Sequence, residues 1–316
     1  MEVVINAVQS VLSIVIMIGL GYYLTRKGWF GEDTSKLFSR LVVSISLPAL
    51  MISNLVTTFD RDKLIGAGAG IIIPFASMLL CYTAGMITAK LIGVRPGRRG
   101  IFQAMFFASN TIFMGMPINI ALFGEKSIPY VLFYYAANTT LFWTIGIYGV
   151  SKDSSTGEEN PLGLNTVKRV FSPPLLGFLV GVILIFLKIQ LPSFILDSCK
   201  YLGNLTTPLS LLFIGITFGG IDIKRIKFDK DMAAMLFGRF VFAPLVVYGL
   251  ALIIPIPALM TKVFIIQSAM PVITQSAITA KAYDADYEYA TVMVTVTTII
   301  SIIFIPVYMV LLNGLQ

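Results

Sequence analysis

The sequence predicts an all-α integral membrane protein whose ten transmembrane helices form two inverted repeats of five. The class follows from composition, because 57% of the 316 residues are hydrophobic and 12% are charged, whereas a soluble domain has about 25% charged residues. Apolar segments of about 20 residues, the length that crosses a bilayer as a helix, recur along the chain. Two of them, one in each half, are interrupted by proline and polar residues, which predicts a pair of broken helices.

Ten apolar segments are long enough to be spans. The first follows Met1-Glu2 with no basic stretch and no Ala-x-Ala cleavage site, so we expect it to be kept as a span. In chain order, the spans are expected at about residues 3–24, 37–56, 64–92, 101–123, 129–150, 170–189, 194–218, 232–254, 258–282 and 287–312. Spans 4 and 9 are the broken ones.

The distribution of Lys and Arg predicts how the spans are oriented. If the N-terminus is outside, 16 of these residues lie in or beside inward-facing loops, 6 lie in outward-facing loops, and Arg239 lies within span 8. Inward-facing loops of membrane proteins carry the excess of positive charge. We therefore expect a multi-pass protein of the cell membrane with both termini outside. The net charge of +7 then reflects topology and indicates no nucleic-acid partner.

A polar loop divides the ten spans into five and five. We expect a first repeat at residues 1–150, a cytoplasmic loop at 151–169 and a second repeat at 170–316. A five-span repeat ends on the side opposite to its start, so a second copy enters the membrane inverted. Features recur at an offset of about 160 residues: Pro48 corresponds to Pro208, and the break at Ser109 corresponds to the break at Ser268.

The first break is the stretch SNTIFMGMPIN at residues 109–119. Pro117 cannot donate a backbone hydrogen bond, Gly115 permits close backbone approach, and Asn110 is costly if it faces lipid without a partner. We expect one half-helix to end near Asn110 and a second to begin with Pro117 in its first turn, where proline is favoured. The N–H groups at that second start would attract an anion.

The second break is the stretch SAMPVITQS at residues 268–276, where Pro271 interrupts the span. Thr274, Gln275 and Ser276 supply capping oxygens and amide donors. If inversion relates the two breaks, two half-helix N-termini point into one cavity near the middle of the membrane. A single break is usually a kink, but two matched breaks favour a binding site for a solute that carries a carboxylate.

We expect the solute to bind at the two breaks. The candidate binding residues are Asn110, Thr111, Met114, Gly115, Pro117, Pro271, Val272, Ile273, Thr274 and Gln275. Residues of spans 2 and 7 are candidates for the wall of the binding cavity opposite the breaks. Their presence in the spans is explained equally well by hydrogen bonding between helices. These are Ser46, Pro48, Thr207 and Pro208.

Other polar residues in or near the spans leave two interpretations open. Asn138 in span 5 either faces the cavity or bonds to another helix. Arg239 is either a functional charge within the membrane or a side chain that snorkels to the cytoplasmic surface. Asp284, Asp286 and Glu288 are expected to form a short solvated turn after span 9.

The residue types that are missing exclude several function classes. The chain has no His, and no Asp or Glu lies at the middle of a predicted span, which argues against an intramembrane enzyme and against a cation exchanger. Cys81 and Cys199 lie in apolar segments and are expected to be packing residues. No Gly-x-x-x-x-Gly-Lys-Ser/Thr motif is present. We expect no catalytic residue, no metal site and no cofactor.

The first break resembles the auxin efflux carrier family, which includes the plant PIN carriers and bacterial permeases for malate and malonate. The matching stretches are SNTIFMGMPI at 109–118 and LFGE at 122–125, supported by LPAL at 47–50, Met270-Pro271, AKAYDAD at 280–286 and SIIFIP at 301–306. The short loop at residues 151–165 resembles the prokaryotic members. The ionisable pair that some plant carriers have in span 3 has no evident match here.

The resemblance implies a fold similar to that of bile-acid symporters. Spans 1, 2, 6 and 7 would form a scaffold, and spans 3–5 and 8–10 a transport domain in which spans 4 and 9 cross at the substrate. Asn110 and Pro117 match the first crossover of the family, and Pro271 matches the second.

These observations together predict a secondary active transporter that moves a small organic anion across the plasma membrane by alternating access. The expected partners are a small carboxylate solute and the lipid bilayer, and a homodimer is left open. The alternatives are a sodium-coupled symporter of organic anions and a membrane sensor that does not transport.

Overall fold

The computed structural model describes residues 2–153, 170–219 and 228–313, and within them the repeating structure is helical throughout. In chain order the α-helices are α1 (Glu2–Arg26), α2 (Glu32–Leu41), α3 (Leu47–Thr58), α4 (Arg61–Gly68), α5 (Ile72–Leu91), α6 (Arg99–Phe107), α7 (Met116–Phe123), α8 (Ile128–Leu141), α9 (Ile147–Ser151), α10 (Pro173–Phe186), α11 (Ser193–Asn204), α12 (Thr206–Gly219), α13 (Lys230–Phe237), α14 (Ala243–Ile253), α15 (Ala258–Ser268), α16 (Gln275–Ala282) and α17 (Tyr287–Asn313). The β element in this part of the chain is an isolated antiparallel bridge between Ser109 and Val272.

Five helical stretches of the described residues are long and apolar enough to cross a membrane: Glu32–Thr58, Ile72–Leu91, Ser193–Gly219, Lys230–Ile253 and Tyr287–Leu312. Four shorter apolar helices accompany them: Leu12–Arg26, Thr111–Phe123, Pro173–Phe186 and Ala258–Ser268. Two of the shorter four are halves of the predicted broken spans, which accounts for their length. The structure is thus all-helical and of membrane type, and the arrangement of ten spans as inverted repeats stays a prediction.

Short π-helical turns occur at four places in the helices, three within a longer helix and one at the start of a helix, a feature that the sequence did not predict. They cover Val42–Ser46, Thr111–Gly115, Phe142–Gly146 and Gly238–Phe242. Three of them end two residues before a proline: Pro48, Pro117 or Pro244. A proline inside a helix clashes with the carbonyl four residues earlier and cannot donate to it. The wider π turn, in which Leu47 N–H donates to the Val42 carbonyl, relieves that clash while the helix continues.

The first of two compact units consists of Met1–Ala69, Ile112–Leu132 and Phe171–Ile221. Its helices approach closely at glycines, as helices in membranes commonly do. A Cβ on Gly21 of α1 would lie 2.5 Å from the Leu212 carbonyl of α12, and a Cβ on Gly177 of α10 would lie 2.6 Å from the Cα of Pro48 in α3. Pro48 therefore packs against a neighbouring helix.

The second compact unit consists of Gly70–Thr111, Phe133–Val170 and Asp222–Gln316. Here α6 crosses α9 at Gly100 and Gly149 with backbone contact. The Asp153 carboxylate, just after α9, accepts a hydrogen bond of 3.0 Å from the N–H of Ile101 in α6. Burial raises the pKa of Asp153, although the hydrogen bonds from Gly100 and Ile101 oppose this shift. These contacts fix the end of α9 to the first turn of α6.

A partly buried ion cluster joins three helix starts of the second unit. The Arg98 guanidinium lies 2.8 Å from a carboxylate oxygen of Asp231 and 2.8 Å from one of Asp286, which Arg95 also contacts at 2.5 Å. Burial alone would raise the pKa of Asp286, but the hydrogen bonds from Arg95 and Arg98 outweigh it and hold the pKa below its ordinary value. The prediction of a solvated turn is therefore wrong for Asp286.

Part of the predicted cytoplasmic loop at residues 151–169 lies outside the described residues. Its first three residues end α9 and follow it directly. Of the cations predicted to lie in or beside inward-facing loops, five are outside the described residues: Lys168, Arg169, Lys224, Arg225 and Lys227.

Candidate functional site

The first broken span is non-helical between α6 and the π turn at Thr111–Gly115. Helix α6 ends at Phe107, and Ala108 is extended, with φ −82° and ψ 126°. The helical path starts again at Thr111 and continues into α7, which has Pro117 in its first turn. The non-helical stretch is therefore only residues 108–110, and Asn110 is its last residue.

The second broken span has a longer non-helical stretch, and it pairs with the first. Helix α15 ends at Ser268 and α16 begins at Gln275. The N–H of Asn110 donates to the Pro271 carbonyl at 2.8 Å, and the N–H of Ile273 donates to the Ala108 carbonyl at 3.3 Å. These bonds flank the bridge between Ser109 and Val272. Backbone groups that the breaks remove from the helices are thus satisfied by the other break, as a buried backbone requires.

Side chains from two neighbouring helices satisfy more of the backbone at the breaks. Asn138 of α8 accepts a hydrogen bond of 2.9 Å from the N–H of Ser109 and donates one of 3.1 Å to the Ser109 carbonyl. Thr297 of α17 accepts a bond of 3.1 Å from the N–H of Val272. Asn138 lies 29 residues after its partner, and Thr297 lies 25 residues after its own. Asn138 therefore supports the first break with both ends of its side-chain amide.

Arg239 is fully buried behind the paired breaks and does not snorkel. Its guanidinium donates hydrogen bonds to the carbonyls of Phe107 at 3.0 Å, Ser268 at 2.7 Å and Met270 at 2.7 Å, with longer bonds to Phe106 and again to Met270. Phe106 and Phe107 end α6, and Ser268 ends α15. The last carbonyls of an α-helix have no partner within the helix. One side chain thus caps the C-terminal ends of two half-helices.

This cap determines the electrostatics of the second unit at the breaks. Each helix C-terminus carries a partial negative charge equivalent to about half an elementary charge, so two such ends balance one guanidinium. A hydrogen bond to a charged group contributes about 1.5–3 kcal/mol, and several of them offset the several kcal/mol that burying an ion costs. No carboxylate among the described residues forms an ion pair with Arg239.

Gln267 makes a further link between the two breaks. Its side chain is fully buried in the last turn of α15, and its Nε2 donates a hydrogen bond of 3.3 Å to the Thr111 carbonyl. The C-terminal end of α15 is thus bonded to the residue where the first broken span starts again.

The predicted binding residues divide between the two units. The second unit contains Asn110, Thr111, Pro271, Val272, Ile273, Thr274 and Gln275, and its hydrogen bonds bring the two breaks together. Ile273, Thr274 and Gln275 are half-buried, whereas Asn110 and Thr111 are buried. The first unit contains Met114, Gly115, Pro117, Ser46, Pro48, Thr207 and Pro208.

In the first unit the π turn and α7 are held by local contacts. Gly115 is the last residue of the π turn and directly precedes α7. Its carbonyl accepts a hydrogen bond of 2.7 Å from Asn119 Nδ2. The ring of Phe113 packs on the ring of Phe213, with centroids 4.7 Å apart. Asn119 thus stabilises the start of α7 from within the same helix.

The sequence analysis missed two residues of this arrangement and left the role of a third open. Gln267 and Thr297 were not singled out, and Arg239 was left between two interpretations. An arginine inside an apolar span was the signal that could have found Arg239, whereas Gln267 and Thr297 carry no signal until the pairing of the breaks is known. Among the described residues no cluster of three or more His, Cys, Asp or Glu could hold a metal ion.

The sequence of the chain matches the family model described as a membrane transport protein over residues 6–309. The chain belongs to this family. Relatives in the family include an "uncharacterized transporter" of Methanothermobacter thermautotrophicus, 27% identical, with 97% of this chain and 99% of that protein covered. Another is the "uncharacterized transporter MJ1031" of Methanocaldococcus jannaschii, 24% identical, with 94% of this chain and 96% of that protein covered.

A third relative carries a more specific name. A "putative malonate transporter" of Rhizobium meliloti is 20% identical, with 90% of this chain and 89% of that protein covered. The family and the names of its members indicate transport rather than an enzymatic reaction. The family match confirms the resemblance to auxin efflux carriers, and membership accords with the apolar helices of a multi-pass membrane protein.

Proposed function

We propose that this membrane transport protein is a secondary active transporter of a small organic anion, and that the solute binds through a carboxylate at the paired breaks. The observation that carries the proposal is the asymmetry of the broken helices in the second unit. Their C-terminal ends are capped by Arg239, whereas α16 begins beside the half-buried Ile273, Thr274 and Gln275. A helix N-terminus favours an anion.

The assigned contacts follow from this asymmetry. The carboxylate would lie at the start of α16, where the backbone N–H groups and the Thr274 hydroxyl are donors. The side chain of Asn110, at the end of the first break, would bind the same solute. Of the other candidate residues, Pro117, Met114 and Gly115 would line the path in the first unit, and the roles of Ser46, Pro48, Thr207 and Pro208 as a wall stay predictions.

Two arguments extend the proposal to substrate class and mechanism. The name of the Rhizobium meliloti relative, a "putative malonate transporter", supports a small dicarboxylate. The predicted inverted repeat of two times five spans, with broken spans 4 and 9, would support alternating access in the cell membrane, in which the site opens to one side at a time. Both termini would lie outside, as the loop charges predict.

A thermal-shift screen of the purified protein against small carboxylates tests the proposed ligand class. A ligand that binds only the folded state stabilises it by about 2.7 kcal/mol at a hundred times its Kd, so malonate and close analogues should raise the melting temperature in a saturable way. Monovalent inorganic anions at equal ionic strength are the control. If no carboxylate raises the melting temperature more than chloride does, the assignment of a carboxylate ligand is wrong.

A further inference from the structure

The fixed positive charge of Arg239 lies where broken helices present their carbonyl ends. Its guanidinium contacts the Phe107, Ser268 and Met270 carbonyls at 3.0 Å or less, and its relative exposure is 0%. In transporters built on broken helices, unwound carbonyls and half-helix C-terminal ends are the groups that coordinate a coupling cation. In this protein the guanidinium of Arg239, a positive charge of the protein itself, contacts carbonyls of this kind.

The charge and the shape of the Arg239 guanidinium both suit it to bind the carbonyl ends of two helices. Two helix C-termini together present about one negative charge, which one guanidinium neutralises. The planar guanidinium has five N–H donors in a fixed fork, so it can contact carbonyls from two helices at once. It also stays protonated at any pH a cell encounters. A sodium ion at the same carbonyls would meet a positive charge at hydrogen-bonding distance.

We propose that Arg239 is a built-in cation that takes the place of a coupling sodium ion at the paired breaks, so that this protein binds and transports its solute without sodium. The part of the inference that concerns transport rests on the proposed function, whereas the part that concerns the carbonyl ends does not. Arg239 is a positioning residue in this account, because it holds the two half-helix ends together and does not touch the solute.

The first test measures wild-type protein in matched sodium, potassium and choline buffers. The melting temperature, its increase with malonate, and malonate uptake by proteoliposomes should be the same in all three salts. A malonate effect that appears only in sodium would overturn the proposal. If malonate has no effect in any salt, the proposed substrate class fails, and the second test still decides the role of Arg239.

The second test removes the Arg239 side chain and supplies a soluble guanidinium ion in its place. Arg239→Ala should lower the melting temperature by about 5 °C or more, since it leaves several carbonyls without donors, and millimolar methylguanidinium should restore much of the loss. Equal concentrations of methylammonium, a point charge without the fork, should restore less. Arg61→Ala removes an exposed arginine of the first unit and should show neither the loss nor the rescue.

A third variant keeps the test decisive if Arg239→Ala does not fold. Arg239→Lys preserves the charge but has a compact ammonium that cannot reach carbonyls on both helices at once. It should have a melting temperature below that of the wild type, because some carbonyls lose their donors. It should gain no more stability from sodium than from potassium, because the ammonium still repels a cation at these carbonyls. A lysine variant with wild-type stability in every salt, or an alanine variant that methylguanidinium does not affect, would contradict the proposed role.

Discussion

Asn138 and Thr297 are single side chains that replace hydrogen bonds which the broken helices have lost. Asn138 satisfies both backbone groups of Ser109, and Thr297 accepts from the N–H of Val272. Both side chains are fully buried. A buried backbone group that loses its partner costs about 1–3 kcal/mol, so the two residues should differ in how much stability each contributes.

Asn138→Leu should therefore destabilise the protein more than Thr297→Val does. The leucine keeps the branched shape but leaves the N–H of Ser109 without a partner, at about 1–3 kcal/mol. It also removes one of the two hydrogen bonds to the Ser109 carbonyl, which keeps the one from the N–H of Thr111 at 2.9 Å. The valine leaves a single N–H group, that of Val272, without a partner. The free energy of unfolding in mixed micelles measures both variants. Asn204→Ala, at an exposed asparagine of α11, is the control and should stay within about 0.5 kcal/mol of the wild type. Wild-type stability in Asn138→Leu would show that these hydrogen bonds contribute nothing.

Residue types alone located the two breaks but did not predict which side chains from other helices meet them, or what those side chains bond to. Asn110 and Pro271 were chosen because polar and helix-breaking residues are costly in a span, and the structure joins their backbones directly. The partners of Asn138, Gln267 and Arg239 are backbone carbonyls and N–H groups, and every residue has these. The sequence therefore carries no information on which of them a given side chain meets.

At the scale of helices, α1 and α12 of the first unit pack at a pair of facing glycines. A Cβ on Gly21 would lie 2.5 Å from the Leu212 carbonyl and 3.1 Å from the Cα of Gly215, whereas a Cβ on Gly19 of the same helix would meet nothing within 4 Å. Backbone atoms cannot move aside as the end of a side chain can. The two helices can approach this closely only because residue 21 has no side chain.

Gly21→Ala and Gly19→Ala are a matched pair on one helix. The first should cost about 1–3 kcal/mol through overpacking, although alanine itself favours a helix over glycine by about 1 kcal/mol. The second has no clash and should be neutral or slightly stabilising. Melting temperatures of the two variants under identical detergent conditions measure the difference. Equal melting temperatures would contradict close packing of α1 against α12.

The helix boundaries show which elements a sequence can predict. The first half-helix was expected to end near Asn110 and ends at Phe107. The second was expected to have Pro117 in its first turn, but it starts at Thr111 with a π turn, so Pro117 lies in the first turn of its α-helical part only. Proline and glycine determine such boundaries locally. The π turns before Pro48, Pro117 and Pro244 were not predicted, because their sequence signal is a proline that also fits a kink or a helix start.

At the scale of the whole molecule, each compact unit combines segments from both halves of the chain. The first unit takes residues from Met1–Ala69 and from Phe171–Ile221, and the second from Gly70–Thr111 and from Asp222–Gln316. The sequence predicted five spans before the polar loop and five after it, by counting apolar segments. An inverted repeat is a similarity between two backbone folds, and many different sequences can form the same backbone fold. The inverted relation of the two halves therefore stays a prediction.

The function proposed for the whole molecule depends on the paired breaks acting as a binding site for a carboxylate. Asn110 is the proposed binding residue that the sequence analysis and the position of the first break both single out. Asn204 offers a matched asparagine, exposed and in the first unit, whose replacement by alanine removes the same group without touching the breaks. Comparing the two variants separates loss of the site from general effects of the substitution.

Counterflow of labelled malonate in proteoliposomes is the measurement that tests this claim most directly. Liposomes that contain the wild-type protein and are loaded with unlabelled malonate should accumulate external label transiently, and so should liposomes with Asn204→Ala. Asn110→Ala should accumulate no more label than empty liposomes, while its melting temperature stays close to that of the wild type. Counterflow by Asn110→Ala at the wild-type rate would contradict the site, and none by the wild type would contradict malonate transport.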